Sequence, residues 1–167
     1  MPEDTPHAAR PTDTAPGPTP AVPPGFDPSS FRGENVHGVL GVELVEASAD
    51  RVVLQLPVGP KVHQPYGILH GGVSALLAES AASLGAALAA PEGKHVVGIE
   101  LNASHLRSVR QGTLTATATP VRTGRTVQVW AIDLIDQDGR LICAARCSLA
   151  VIDTPGGAGG AAAATRD

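Results

Sequence analysis

From Arg51 to Val58 the chain reads RVVLQLPV, and Val52, Leu54, Leu56 and Val58 fall on one side of an extended backbone. The same alternation recurs downstream. GTLTATATPV (112–121) sets Thr113, Thr115, Thr117 and Thr119 opposite Leu114, Ala116 and Ala118, while HVVGIELNASHL (95–106), TVQVWAIDLID (126–136) and RLICAARCSLAVI (140–152) also read as strands. VHGVLGVELVEASAD (36–50) predicts another strand, turning at Asp50 into the 51–58 segment. SSFRGEN (29–35) predicts a short helical turn with a serine cap. DQDG (136–139) is a hairpin signal.

One long segment departs from this period. Between Gly72 and Ala90 apolar residues surround the helix axis, and Pro91 and Gly93 end the run, which predicts a buried helix. The order β-β-α-β-β-β-β implies an α+β domain of about six antiparallel strands curled around that helix. Its Ala, Gly and Ser content lets a sheet approach closely and leaves little room for a ligand inside one protomer. A site is expected at the helix ends or between subunits.

Composition trims the picture at both ends. Residues 1–29 carry nine of the 15 prolines and few core-forming groups, and 154–167 are rich in Gly and Ala, so both are expected to be disordered tails around a domain at 30–153. The formal charge of -4 supplies no basic field for nucleic acid or an anionic membrane. Neither a secretory signal nor an uninterrupted apolar run of ~20 residues is seen. Cys143 and Cys147, four residues apart in a strand and so ~13 Å from each other, cannot bridge, which fits a cytoplasmic protein. No histidine pair or Cys-x-x-Cys has the spacing of a metal site, and neither a phosphate-binding loop nor a G-x-S-x-G elbow occurs.

Against this background Glu79 stands out as the one acid in the apolar helix. Charged residues are seldom buried without a partner or a purpose, and some burial is expected around it. The HGG at His70 to Gly72 opens the helix, where unpaired backbone N–H groups and the helix dipole suit a carbonyl that becomes an oxyanion. Gly71 and Glu79 are eight residues apart, ~12 Å along the axis, so one helix can hardly put both on the same carbonyl carbon. A shared site in an obligate dimer follows as an expectation. Ser83, one turn beyond Glu79, and Gln64, in the preceding loop, could orient a water or a carbonyl. His63 is expected at the surface. Arg107 and Arg110 flank one turn and Arg122 and Arg125 another; they could hold phosphates, with His105 and Ser108 adding hydrogen bonds.

HQPYGILHGGVSALLAES, VVGIELNASHLRSVRQG and QVWAIDLIDQDGRLICAARCSLAVI together resemble the hotdog-fold acyl-CoA thioesterases of the phenylacetic-acid-degradation type. The branch most similar holds the 1,4-dihydroxy-2-naphthoyl-CoA hydrolases and the proofreading thioesterases of enterobactin synthesis. The resemblance runs from about Val36 to Ile152. It implies a helix wrapped by a sheet, a dimer with a continuous sheet and a homotetramer built from two such dimers, with no cofactor, coenzyme A being part of the substrate. It further implies Glu79 as nucleophile or general base, the Gly71 amide as the group polarising the thioester carbonyl, and Gln64, His70 and Ser83 as helpers. Coenzyme A contacts map to Gly98, to His105, Leu106, Arg107 and Ser108, and to Arg122, Thr123, Gly124, Arg125 and Thr126. A glutamate where other branches carry an aspartate favours an aromatic acyl group. Two rivals remain open: hydrolysis of acyl groups on a carrier protein, and a non-catalytic acyl-CoA sensor.

Overall fold

Alternation in the sequence becomes a single antiparallel sheet. In the computed structural model, which describes Ser29, Phe31 and residues 33–153, the elements are α1 (Val36–Leu40), β1 (Glu43–Ala47), β2 (Val52–Val58), α2 (Gly71–Ala89), β3 (Lys94–His105), β4 (Gly112–Thr123), β5 (Val127–Ile135) and β6 (Leu141–Asp153). The six strands are ordered β1-β2-β4-β5-β6-β3, and every neighbouring pair is antiparallel. Apart from Ser29, the expected tails lie outside the described residues.

The amino-terminal elements differ from the pattern reading. VHGVL forms a helix where a strand is expected, because Asn35 Oδ1 accepts hydrogen bonds from His37 N (3.0 Å) and Gly38 N (3.2 Å) and so starts one. Gly41 ends it in the left-handed conformation at φ 79°, returning its N–H to Gly38 O. SSFRGEN carries a helical turn as expected, with Ser29 and Phe31 in 3-10 conformation, and α1 is a second helical turn directly after it. The first strand is shortened to Glu43–Ala47.

Leu54, Leu56, Leu114, Ala116, Ala118, Ile132 and Leu134 are fully buried from three adjacent strands and meet α2. By length and apolarity alone α2 could cross a membrane, yet it packs against β2, β3, β4, β5 and β6 as the core helix of a domain. One close approach sets its position. A Cβ on Gly85 would fall 2.5 Å from the Trp130 ring, so the indole lies flush on the helix backbone. Trp130 Nε1 donates to Gln128 Oε1 (3.1 Å), and Gln128 Nε2 donates to Ala86 O (3.1 Å). The one buried amide thus satisfies both the indole and a carbonyl near the helix end.

Burial of α2 is one-sided, which corrects the expectation of burial all round. Leu77, Ala78, Ala81, Ala82, Gly85 and Ala86 are covered, whereas Gly72, Ala75, Leu76, Glu79, Ser83 and Ala87 border an open cleft. The sheet curls around the helix and stops at β3, an edge strand of 12 residues. On it Val97 and Ile99 are 45% and 58% exposed.

The β5–β6 hairpin closes on a buried acid. Asp136, 4% exposed, accepts hydrogen bonds from Asp138 N (3.0 Å), Arg140 N (2.9 Å) and Arg140 Nε (2.7 Å). Burial alone would raise its pKa, but the hydrogen bonds from Arg140 and Asp138 outweigh that and hold the carboxyl below its usual value.

Two stability predictions follow from this packing. Replacing a mid-helix Gly by Ala ordinarily gains about 0.5–1 kcal/mol, but Gly85→Ala should lose about 1–3 kcal/mol by forcing Trp130 off the helix; thermal unfolding that shows a gain would contradict the contact. A depressed folded-state pKa contributes stability present above the unfolded carboxyl's value and lost as pH falls through the folded one. The Tm deficit of Asp136→Asn should therefore be largest near neutral pH and shrink below about pH 4; a deficit independent of pH would remove the linkage.

Candidate functional site

His70 caps α2 with its ring. Its Nδ1 accepts the Gly72 N–H at 2.8 Å, while the carbonyl of His70 accepts Val73 N at 2.9 Å. No partner among the described residues takes the Gly71 N–H. Capping has thus sorted the first donors of the helix, and Gly71 is the one left for a ligand oxygen. A Cβ at Gly71 would sit 2.9 Å from His105 Nε2, which places that imidazole beside the open amide.

Around Gly71 lies a cleft of about 310 Å³ lined by Gln64, His105, Leu106, Arg107 and Ser108. The loop that carries Gln64 is closed by Gln64 N→Ile68 O (2.8 Å) and Gly67 N→Gln64 O (2.9 Å), with Gly67 at φ 70°. Arg110 braces the loop from outside, donating through its guanidinium to Gly67 O at 3.1 Å. Its own carbonyl is 2.7 Å from His63 Nε2, so His63 is a structural contact as well as a partly exposed side chain. Arg107 donates to Leu141 O at 3.0 Å.

Glu79 opens onto a different cleft of about 860 Å³, shared with Ser80, Ser83, Leu84, His37 and Phe31. It is exposed in the protomer, and among the described residues its carboxylate has no hydrogen-bond or ion-pair partner. That corrects the expected burial: the open face of α2 leaves the acid in solvent unless something covers it. One oxygen of the acid lies 2.5 Å from where a Gly98 Cβ would be, so the carboxylate rests on the bare backbone of β3 where that strand bulges between Gly98 and Glu100. Gly98 is therefore placed beneath the acid, apart from the His105–Ser108 cluster.

The protomer divides the expected residues into three groups. Gly71, Gln64, His105, Leu106, Arg107 and Ser108 come together in the smaller cleft, and Glu79 and Ser83 in the larger. Arg122 and Thr123 end β4, and Gly124, Arg125 and Thr126 form the β4–β5 turn; the segment borders neither cleft and leads into β5 beside Gln128, near the far end of α2. His37, Ser80 and Phe31 were not anticipated. Asn35 and Gly41, as cap and stop of a five-residue helix, were the signal that would have placed His37 on a helix facing α2.

Cysteine chemistry does not compete with the carboxylate. Cys147 is fully buried, and burial, with Glu79 and Glu100 adding negative charge nearby, pushes its thiol up to about 11. Burial also raises Cys143. Among the described residues no three His, Cys, Asp or Glu side chains gather as a metal site.

Comparison with known proteins agrees with the fold. The family model for the thioesterase superfamily matches residues 66–143, from the Gln64 loop through α2 into β6. A 1,4-dihydroxy-2-naphthoyl-CoA hydrolase of Listeria monocytogenes is 47% identical over 112 residues, 67% of this chain and 91% of its own. The proofreading thioesterase EntH of Cronobacter turicensis is 42% identical over 113 residues, 68% of this chain and 82% of its own. A crystal structure of a thioesterase from Haemophilus influenzae is similar with a TM-score of 0.71 and 42% identity, covering 75% of this chain and 87% of that one. Identity of this order over two thirds of the chain, on the same fold, makes the protein a member of the thioesterase superfamily and a hotdog-fold enzyme that hydrolyses thioesters.

Proposed function

We propose that the protein hydrolyses an aromatic acyl-CoA thioester to the free acid and coenzyme A, with Glu79 as its catalytic carboxylate. One observation carries this reading: an exposed, unpartnered acid stands in a largely apolar cleft of about 860 Å³. Glu79 either attacks the carbonyl carbon, forming a mixed anhydride and releasing the thiolate, or takes a proton from an attacking water. The Gly71 N–H polarises the carbonyl oxygen, and Gln64, Ser83 and His70 order the groups around it.

Because Gly71 and Glu79 open onto separate clefts of one protomer, the complete site needs the helix start of one subunit and the acid of another. The free edge of β3, with Val97 and Ile99 exposed and Glu79 resting on Gly98, is the surface on which we place the second subunit. A homodimer is the minimum, and a homotetramer of two dimers is the proposed assembly. His105, Leu106, Arg107 and Ser108 would hold coenzyme A beside Gly71. The turn from Arg122 to Thr126 would reach its phosphates from a neighbouring subunit.

Relatives named 1,4-dihydroxy-2-naphthoyl-CoA hydrolase at 47% and 37% identity support that ester as the leading substrate. Hydrolysis of carrier-bound acyl groups is the second reading. It is favoured by the EntH relatives and by the exposed Arg122 and Arg125, which could dock an acidic carrier. The chemistry needs no cofactor besides the coenzyme A of the substrate, and the two free, buried cysteines suit a reducing cytoplasm.

Thiol release from a panel of aryl and alkyl CoA esters, including 1,4-dihydroxy-2-naphthoyl-CoA, tests the reading. Wild type should cleave an aryl member, and Glu79→Gln should lower its kcat by at least ~10²-fold while unfolding at a similar temperature. Equal turnover by the variant would overturn the role of Glu79, and binding of esters without hydrolysis would establish the sensor. Faster turnover of a carrier-bound form of the same acyl group would move the substrate to the carrier.

A further inference from the structure

The cleft at Glu79 has a second wall, supplied by α1 and the residues before it. Val36 and His37 border the cavity together with Leu76 and Leu84 of α2, so an acyl group at Glu79 would lie between the two helices. His37 Nε2 is 2.8 Å from Ser80 Oγ, and Ser80 directly follows the acid. The serine hydroxyl already donates to Leu76 O at 2.7 Å. Its single hydrogen is therefore committed, and its oxygen must accept from His37.

This fixes the imidazole in one tautomer. Nε2 carries the proton, which leaves Nδ1 with its lone pair, and no donor among the described residues satisfies it. Phe31 packs on the ring, with centroids 4.5 Å apart and planes tilted by 33°. Burial lowers the pKa of His37, so the ring remains neutral and an acceptor at neutral pH. The surrounding wall is mainly apolar, and a neutral acceptor set in it distinguishes ligands by their hydrogen-bond donors instead of by charge.

Resting on the proposal that the acyl group of the substrate occupies this cleft, we propose that His37, held by Ser80, is a specificity-determining residue that accepts a hydrogen bond from a hydroxyl on that acyl group. Hydroxylated aryl thioesters are then preferred over their unsubstituted counterparts. His37 takes no part in bond breaking. Its contribution is to the binding and registration of the ring.

The test compares benzoyl-CoA with its 2-, 3- and 4-hydroxy derivatives for wild type, His37→Val and His37→Asn, each shown to be folded by thermal unfolding. For wild type, kcat/KM should favour at least one hydroxy ester over benzoyl-CoA. His37→Val should reduce that ratio about ten-fold, mainly through KM. Asparagine, whose side-chain oxygen can stand near the position of Nδ1, should restore part of it. A wild type that hydrolyses all four without preference, or a ratio unchanged in His37→Val, overturns the role of His37 and leaves the thioesterase site intact. Failure of wild type to cleave any of the four overturns the role of His37, and overturns the proposed function as well if 1,4-dihydroxy-2-naphthoyl-CoA is also left intact.

Discussion

A single rigid helix holds Gly71 at its first residue and Glu79 eight positions later, ~12 Å away, and the rest of the site depends on that distance. A carbonyl activated at the helix start cannot be reached by the acid of the same helix. Chain folding enforces the separation by opening the two groups onto different clefts, one containing the coenzyme A candidates His105 to Ser108 and the other Ser83 and the α1 wall. The proposed chemistry therefore requires a second copy of the chain, and the unpaired edge of β3 beside Glu79 is where that copy can add without disturbing the core.

What keeps the helix from shifting is packing on its other face. Gly85 admits the Trp130 ring to the backbone, and Gln128 joins that indole to Ala86 O, so the carboxyl half of α2 is fixed against β5. At the amino end His70 consumes one free N–H and leaves the Gly71 donor exposed. Small residues thus serve two purposes along one element. They allow close packing where the sheet covers the helix, and at Gly98 they leave room for a carboxylate where it does not.

Much of this was legible in the sequence because it rests on period and spacing. Val52 to Val58 and Leu114 to Ala118 alternate as strands must, and α2 begins and ends within one residue of its sequence boundaries. The eight-residue interval from Gly71 to Glu79 set the two groups apart, and in the protomer they open onto different clefts. Two features escaped. VHGVL is too short and too β-branched to announce a helix, and only the side chain of Asn35 and the positive φ of Gly41 decide it. The open face of α2 was hidden because Ala75, Leu76 and Ala87 read as core residues; composition does not say whether an apolar surface is covered by its own sheet or left for a ligand and a partner.

The central claim is that each catalytic site is built from two subunits, and subunit complementation tests it most directly. Glu79→Gln and Gly71→Val chains, each inactive alone, are mixed under conditions that exchange subunits, and hydrolysis of the best aryl-CoA ester is measured. In a shared site the mixed dimer has one doubly defective centre and one intact centre, so random mixing should restore about a quarter of wild-type activity. No recovery from a mixture shown to contain mixed dimers would mean that Gly71 and Glu79 act within one chain, and would contradict the account.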